Sequence, residues 1–325
     1  MTTVTDAQLR DQLLERRARL QAVTATAADS GLLDLLALVD RALDDIEDGT
    51  YGRCDVCGDP VEPERLAADP LVRLCIDHLT PIQRRDLERD LETAARIQAA
   101  LLPRGQPAVP GWDLGYRYRP AGPVSGDYLD LVPANGGGAW FAFGDVSGKG
   151  VSASILMAHL QAILRGLAAG GSSLGELLAA ANRIFCESTL AGHYATAVIG
   201  RLDSDGVLEL GNAGHWSPLL RAGGQVRALP ATGLPLGMFC DARYGVERFE
   251  LAAGDALVLY TDGLSESRNG DGEEYGSERL AAVLERGGGG ASSAELVEAC
   301  LADLAAFTGG GAPGDDLTVM AVRRV

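Results

Sequence analysis

Aspartates that sit at the ends of apolar runs, each beside a glycine, constrain this chain more than any other feature: Gly126-Asp127, Gly144-Asp145, Asp262-Gly263 and Gly314-Asp315-Asp316. The runs Ala139-Trp140-Phe141-Ala142-Phe143 and Ala256-Leu257-Val258-Leu259-Tyr260 read as buried strands that lead into Asp145 and Asp262. Asp127 and Asp315 instead precede the runs Tyr128 to Val132 and Leu317 to Val322. Antiparallel pairing then predicts two strand ends and two strand starts at one edge of a sheet, with the four carboxylates converging. Carboxylates gathered without basic partners repel one another, and a bound cation relieves that repulsion. An all-oxygen acidic set suits hard divalent ions such as Mg2+ or Mn2+.

The 325 residues suffice for one large domain plus an accessory module. A net charge of -17 disfavours direct binding to nucleic acid or to an anionic membrane surface, so protein partners are expected. No apolar stretch reaches the ~20 residues of a membrane-spanning helix, and Met1 to Arg19 is charged with no signal-peptide core. The expectation is a cytoplasmic protein. Three of the six cysteines cluster near a histidine while Cys186, Cys240 and Cys300 are scattered, which predicts a metal site plus buried thiols rather than a disulfide framework.

Along the chain, residues 1–48 read as a helical hairpin broken at Asp29-Ser30-Gly31, with helix 1 ending near Ala28. In its second helix Leu32, Leu35, Leu36, Val39, Leu43 and Ile46 recur at helical spacing and Gly49 supplies the stop. Residues 49–80 are turn-rich and carry the clustered cysteines. Residues 81–103 read as a linker helix with a narrow stripe of Ile82, Leu87, Leu91, Ala94 and Leu101, a pattern suited to one strand of a homodimeric coiled coil. Residues 104–325 alternate between strands and helices. The strands are expected at Trp112 to Tyr118, His193 to Asp203 and Val207 to Asn212, besides those bearing the aspartates. The helices are expected at Val151 to Leu167 and after the capping boxes Ser173 to Glu176 and Ser292 to Glu295. The fold class is α+β, with stacked sheets and helices outside.

Five motifs occur in order: Ser125-Gly126-Asp127-Tyr128, Gly144-Asp145-Val146-Ser147-Gly148-Lys149-Gly150, Asn212-Ala213-Gly214-His215, Thr261-Asp262-Gly263-Leu264-Ser265-Glu266 and Gly314-Asp315-Asp316-Leu317-Thr318. The series, from about Ile97 to Val325, resembles the metal-dependent protein phosphatases (PPM, or type 2C) of the SpoIIE/RsbU-like branch. That resemblance implies a β-sandwich flanked by helices (αββα), a centre holding two Mn2+ or Mg2+ ions, and hydrolysis of phosphoserine or phosphothreonine. By resemblance, Asp127, Asp145, Asp262 and Asp315 are metal ligands and catalytic residues, Asp145 is the bridging carboxylate, and the Val146 carbonyl is a main-chain ligand. The implied substrate is a phosphorylated anti-anti-sigma (STAS-type) protein in partner-switching control of transcription. Ser125, Leu129 and Trp216-Ser217 depart from the family pattern without removing a ligand. His215 is expected to make a structural hydrogen bond, and Arg119 to be a solvated strand-end side chain. Gly144 to Gly150 does not complete a phosphate-binding ATPase loop, because it is one residue short and lacks a hydroxyl after Lys149.

Cys54-x2-Cys57, then seventeen residues, then Cys75-x2-His78 provides four ligands with the paired spacing of a structural Zn2+ site. Thiolate and imidazole favour zinc, and such a site can hold a segment too small to fold on its own core. Ala42 to Cys54 with Arg65-Leu66 and Cys75-Ile76 resembles the DksA/TraR zinc-finger family, where His78 replaces a usual fourth cysteine. That resemblance implies an alternative reading, a regulator that binds RNA polymerase with the phosphatase domain as sensor. The primary expectation is that the zinc module regulates the phosphatase through the linker helix.

Overall fold

The computed structural model describes residues 6–24, 30–103, 109–134, 137–190, 192–287, 290–311 and 314–325. The chain divides into two compact units, Met1–Asp90 and Leu91–Val325. In the first, α1 (Asp6–Thr24) packs on α2 (Ser30–Glu47) around Leu13, Val39, Ala42 and Leu43, the helical stripe seen in the sequence. Gly49 ends α2 at φ +69°, a conformation a Cβ would strain. The expected break at Asp29 and the last turn before Ala28 lie outside the described residues.

The cysteine segment holds a short α3 (Pro63–Ala68) and a single 3-10 turn, Ile76–His78. Its apolar core is small: Cys54, Val61 and Cys75 are buried, with Leu66, Val72 and Leu74 packed against them. Polar ties supplement it. The Arg73 guanidinium donates to both oxygens of Asp55 and to Asp45, and Arg65 donates to the Leu74 carbonyl. Helix α4 (Pro81–Leu101) starts with a reciprocal cap in which Gln83 N donates to Thr80 Oγ1 and Thr80 N donates to Gln83 Oε1. Ile82, Leu87 and Ile97 on it are exposed.

The second unit is a sandwich of two antiparallel sheets. One has the order β1 (Trp112–Arg119), β10 (Leu317–Arg324), β9 (Ala256–Tyr260), β6 (Leu219–Ala222), β7 (Gln225–Ala228). The other runs β2 (Asp127–Pro133), β3 (Ala139–Val146), β4 (Ala195–Leu202), β5 (Val207–Ala213), β8 (Glu247–Glu250). Phe141 and Phe143 of β3 meet Leu257, Leu259, Met320 and Val322 between the sheets. The alternate residues of the same strands face outward. Trp140, Ala142 and Val146 lie under α5 (Gly150–Ala168) and α6 (Leu174–Ser188), while Val258, Tyr260 and Val319 lie under α8 (Gly276–Arg286) and α9 (Ser293–Thr308). Burial on both faces explains why these strands read as continuous apolar runs. Each fully buried Phe or Leu stabilises the sandwich by about 1.5–3 kcal/mol. The αββα layering expected from the sequence is the observed one.

Both anticipated capping boxes form, Ser173 with Glu176 and Ser292 with Glu295. The sequence pattern did not anticipate the β6–β7 hairpin, β8, α8 or the single turn α7 (Asp262–Ser265). The strands among these have four residues each, and β7 and β8 are mostly exposed, so no hydrophobic period marks them. Among the described residues one helix, α5, is long and apolar enough by composition to cross a membrane, a composition it shares with core helices, and its Ala153, Met157, Leu160 and Leu164 are buried where it packs on β2 and β3. One expectation needs correction. Cys186 and Cys240 are not separate buried thiols but a disulfide joining α6 to the segment before β8, brought together from 54 residues apart. Cys300 is a buried free thiol on α9, as expected.

Candidate active site and cysteine–histidine cluster

The aspartates meet at one end of the sandwich, and each sheet contributes two, rather than all four lying on one sheet edge. Asp127 opens β2 and pairs in register with Asp145 near the end of β3. Asp262 follows β9, Asp315 precedes β10, and those strands pair antiparallel with Val319 opposite Tyr260. Asp127 is 1% exposed. Its Oδ2 accepts from Thr261 Oγ1 at 3.0 Å and from Thr318 Oγ1, both on the opposite sheet's strands, while its Oδ1 is buried and has no hydrogen-bond partner among the described residues.

The raised carboxylates follow from the convergence. Burial pushes Asp127 well above the usual carboxylate range, against the Thr318 hydroxyl and with help from the charges of Asp145 and Asp316. Burial likewise pushes Asp145 up to about 7, reinforced by Asp262, Asp316 and Asp315 and opposed by the Val146 N–H. Asp262 is raised by burial and by Asp315, with Lys149 opposing. Lys149 Nζ sits 2.6 Å from Asp315 Oδ2 but is largely exposed, so one lysine faces a crowd of acids.

Backbone packing forces the approach. A Cβ on Gly126 would come within 2.9 Å of Asp145 Oδ1 and 3.0 Å of the Val146 carbonyl oxygen, which places that carbonyl beside the Asp145 carboxylate. A Cβ on Gly263 would meet the Asp316 carbonyl at 2.0 Å. All-oxygen donors, a buried orphan oxygen and mutually raised carboxylates fit hard divalent cations.

Several residues that support the site were not singled out from the sequence. Asp316 accepts from Ala121 N at 2.8 Å and Gly126 N at 3.0 Å, which fastens the loop leading into Asp127. Gln98, buried on α4, donates to the Ser125 carbonyl at 2.6 Å and accepts from Ser125 N at 3.0 Å. Thr318 is the one polar residue in its apolar run from Leu317 to Val322, and that anomaly was a readable signal. Gln98 had none beyond its place in a charged helix.

His215 is buried, with Nδ1 2.8 Å from Thr196 Oγ1 and Nε2 3.1 Å from the Tyr260 carbonyl. Burial lowers it to about 4 despite the Tyr260 bond, so the ring is neutral at physiological pH. It lines a cleft of about 370 Å3 with Asp145, Asp262, Ser147 and the half-exposed Trp216. Arg119 is exposed, as expected, and lines a second cleft of about 520 Å3 that also reaches Asp262 and Asp315.

Cys54, Cys57, Cys75 and His78 form the other cluster. Their ligand atoms all lie within 4.8 Å of one another, with Cys75 Sγ 3.1 Å from His78 Nδ1 and 3.8 Å from Cys57 Sγ. Burial resists ionisation of Cys54, but the backbone N–H groups of Cys75, Cys57 and Val56 outweigh it and lower the thiol, while the neighbouring Cys57 is raised, so the metal-free cluster does not hold these thiolates together. Three thiols and an imidazole at this spacing fit a closed tetrahedral Zn2+ site.

Residues 135–325 match the family model of stage II sporulation protein E (SpoIIE), and the chain belongs to that family. Residues 49–77 match the prokaryotic DksA/TraR C4-type zinc finger. The phosphoserine phosphatase RsbU of Bacillus subtilis is 28% identical over 191 residues, 58% of this chain and 57% of RsbU. The crystal structure of the RsbU and RsbW domains of Rv1364c from Mycobacterium tuberculosis is 31% identical, with a TM-score of 0.59 over 69% of this chain and 63% of that one. The SiaA-PP2C domain of Pseudomonas aeruginosa shares the fold at 23% identity, with a TM-score of 0.64 over 74% of this chain and 98% of that domain. The chain spans about half the length of the curated relatives it matches.

Proposed function

We propose that this chain is a Mn2+- or Mg2+-dependent protein serine/threonine phosphatase whose catalytic domain is residues 104–325. The observation that carries the proposal is the buried, unpartnered Asp127 Oδ1 among Asp145, Asp262 and Asp315, whose charges oppose one another with one exposed lysine nearby. Asp127, Asp145, Asp262 and Asp315 with the Val146 carbonyl would hold two ions, with Asp145 shared between them. Bound divalent ions supply Lewis acidity towards phosphoryl oxygens and a water nucleophile near neutral pH.

The chain's own groups do the rest. Thr261 and Thr318 hold the Asp127 carboxylate by one oxygen and leave the other available. Gln98 and Asp316 fix the backbone at Ser125 and Gly126, just before Asp127. Lys149 holds Asp315 and brings positive charge to the rim, where an incoming phosphate dianion is attracted. The cleft beside Asp145 and Asp262 is open enough for a phosphorylated side chain. In the assay, purified protein releases phosphate from a phosphoserine peptide only with Mn2+ or Mg2+, and Asp145→Asn abolishes it. Intact turnover in that variant sinks the assignment.

Similarity to RsbU and to the RsbU–RsbW structure supports a phosphorylated STAS-type protein as substrate, in partner-switching regulation of transcription in the cytoplasm. Residues 1–48, 49–80 and 81–103 act as hairpin, zinc module and linker that regulate the enzyme. Gln98 is the physical route, since a shift of α4 is felt at Ser125, two residues from Asp127. The exposed Ile82 and Leu87 suit pairing of two linkers in a homodimer. Deletion of residues 1–80 tests this, and unchanged activity with unchanged oligomeric state removes it. The alternative reading, in which the chain binds RNA polymerase and the phosphatase domain acts as sensor, draws on the zinc-finger match, and co-purification with polymerase checks it.

A further inference from the structure

We infer that His215 is a positioning residue, a neutral imidazole strut that sets the distance between the half of the acidic site carrying Asp145 and the half carrying Asp262. The inference rests on the metal-centre reading above. Asp145 belongs to the β2–β3–β4–β5–β8 sheet and Asp262 follows β9 of the other sheet, so no strand ladder ties the two together. His215 bridges that seam. On one side its Nδ1 meets Thr196 Oγ1 at 2.8 Å, and Thr196 is the register partner of Asp145 across β3 and β4. On the other side its Nε2 meets the carbonyl of Tyr260 at 3.1 Å, two residues before Asp262.

A carbonyl only accepts, so Nε2 carries the hydrogen. In the neutral ring Nδ1 then accepts the Thr196 hydroxyl hydrogen at 2.8 Å, for which the Asp145 carbonyl at 3.3 Å is the competing acceptor. A donor and an acceptor at opposite ends of one rigid ring are what the two neighbours require. An aliphatic side chain of similar size would leave the Thr196 hydroxyl and the Tyr260 carbonyl without the ring as a partner.

The ring is itself held from behind. Asn212 Oδ1 accepts from His215 N at 2.8 Å, and Asn212 Nδ2 donates to the His215 carbonyl at 3.2 Å, closing the turn after β5. Gly214 in that turn has φ +68° and packs on Pro235, where a Cβ would come within 2.5 Å of the proline ring. Phe143, two residues before Asp145, meets the imidazole edge to face at 5.4 Å. Backbone, turn and aromatic contact leave the imidazole one orientation, so its length is transmitted to both carboxylates.

The test is calorimetric titration of the full chain with Mn2+ alone, paired with thermal unfolding, for wild type, His215→Ala, Thr196→Val and Thr196→Ser. Groups that orient metal ligands change affinity by about 10- to 100-fold when removed. The expected result is a loss of at least about tenfold in Mn2+ affinity for His215→Ala, a smaller loss for Thr196→Val, and wild-type affinity for Thr196→Ser, which keeps the hydroxyl. Should His215→Ala fail to fold, the two Thr196 variants decide the matter. Affinity within twofold of wild type in the folded His215→Ala or in Thr196→Val, with only the melting temperature lowered, overturns the inference and leaves the metal centre standing. No Mn2+ binding by the wild type removes both.

Discussion

On the reading proposed above, the acidic site and the cysteine–histidine cluster hold a cation in opposite ways. The aspartates come from four chain segments spread from Asp127 to Asp315 and are positioned by a sandwich with a large buried core. The cysteines and histidine lie within 25 residues of sequence, from Cys54 to His78, around three buried residues and a few partly buried ones. The first site is preorganised by its fold. The second has too little core to stand alone, so the ion is part of the fold. The lesson is that removing metal should disable one region and dismantle the other.

The largest effect expected is zinc removal. Structural zinc contributes roughly 10–16 kcal/mol in small modules, so a chelator or Cys54→Ser should abolish hydrogen-exchange protection in residues 49–79. The sandwich should keep its own protection. Equal protection loss in both regions would erase the contrast, and a zinc content below about half an equivalent would remove the site. Next in size, Asp145→Asn should lower phosphatase turnover by at least about a hundredfold, the scale of losing one preorganised electrostatic group. Its circular dichroism should be unchanged.

Thr318→Val should cost about 1.5–3 kcal/mol of stability, the worth of a buried hydrogen bond to a charged group, measured by denaturant unfolding with Mn2+ present. A neutral result would mean that Asp127 is not held through Oδ2. The smallest effect concerns pH. Asp127, Asp145 and Asp262 have folded values raised above those of the unfolded chain, so the metal-free native state binds more protons than the unfolded one. Their contribution is full at low pH and is lost as pH rises, for Asp145 through about 7. The metal-free melting temperature of the sandwich should therefore drift down between pH 5 and pH 8, about the window these raised carboxylates cover, and saturating Mn2+ should cancel the drift. A rise in the metal-free protein would contradict the shared burial of the carboxylates.

Much of this was legible before any coordinates. Glycine-flanked aspartates at the ends of apolar runs marked the site, because an acid inside a buried strand needs a cationic partner, as Asp130 within β2 has in Arg165. The two capping boxes were readable because their bonds join residues three apart. The cysteine pairs were readable for the same reason of short range.

What the sequence could not show depended on partners far along the chain. Thr261 and Thr318 reach Asp127 from 134 and 191 residues away, and no local period encodes such a pairing. The disulfide between Cys186 and Cys240 looked like two unrelated thiols until α6 met the segment before β8. The division of the aspartates between two sheets, and the imidazole that spans them, likewise came from packing. The amino-acid order by itself determined the longer buried strands, the two capping boxes, the acids and the metal-type ligands, since these follow from neighbours a few residues apart. Tertiary structure alone decided which strand ends face each other across the sandwich, because burial of two apolar faces selects that arrangement only once the whole core assembles.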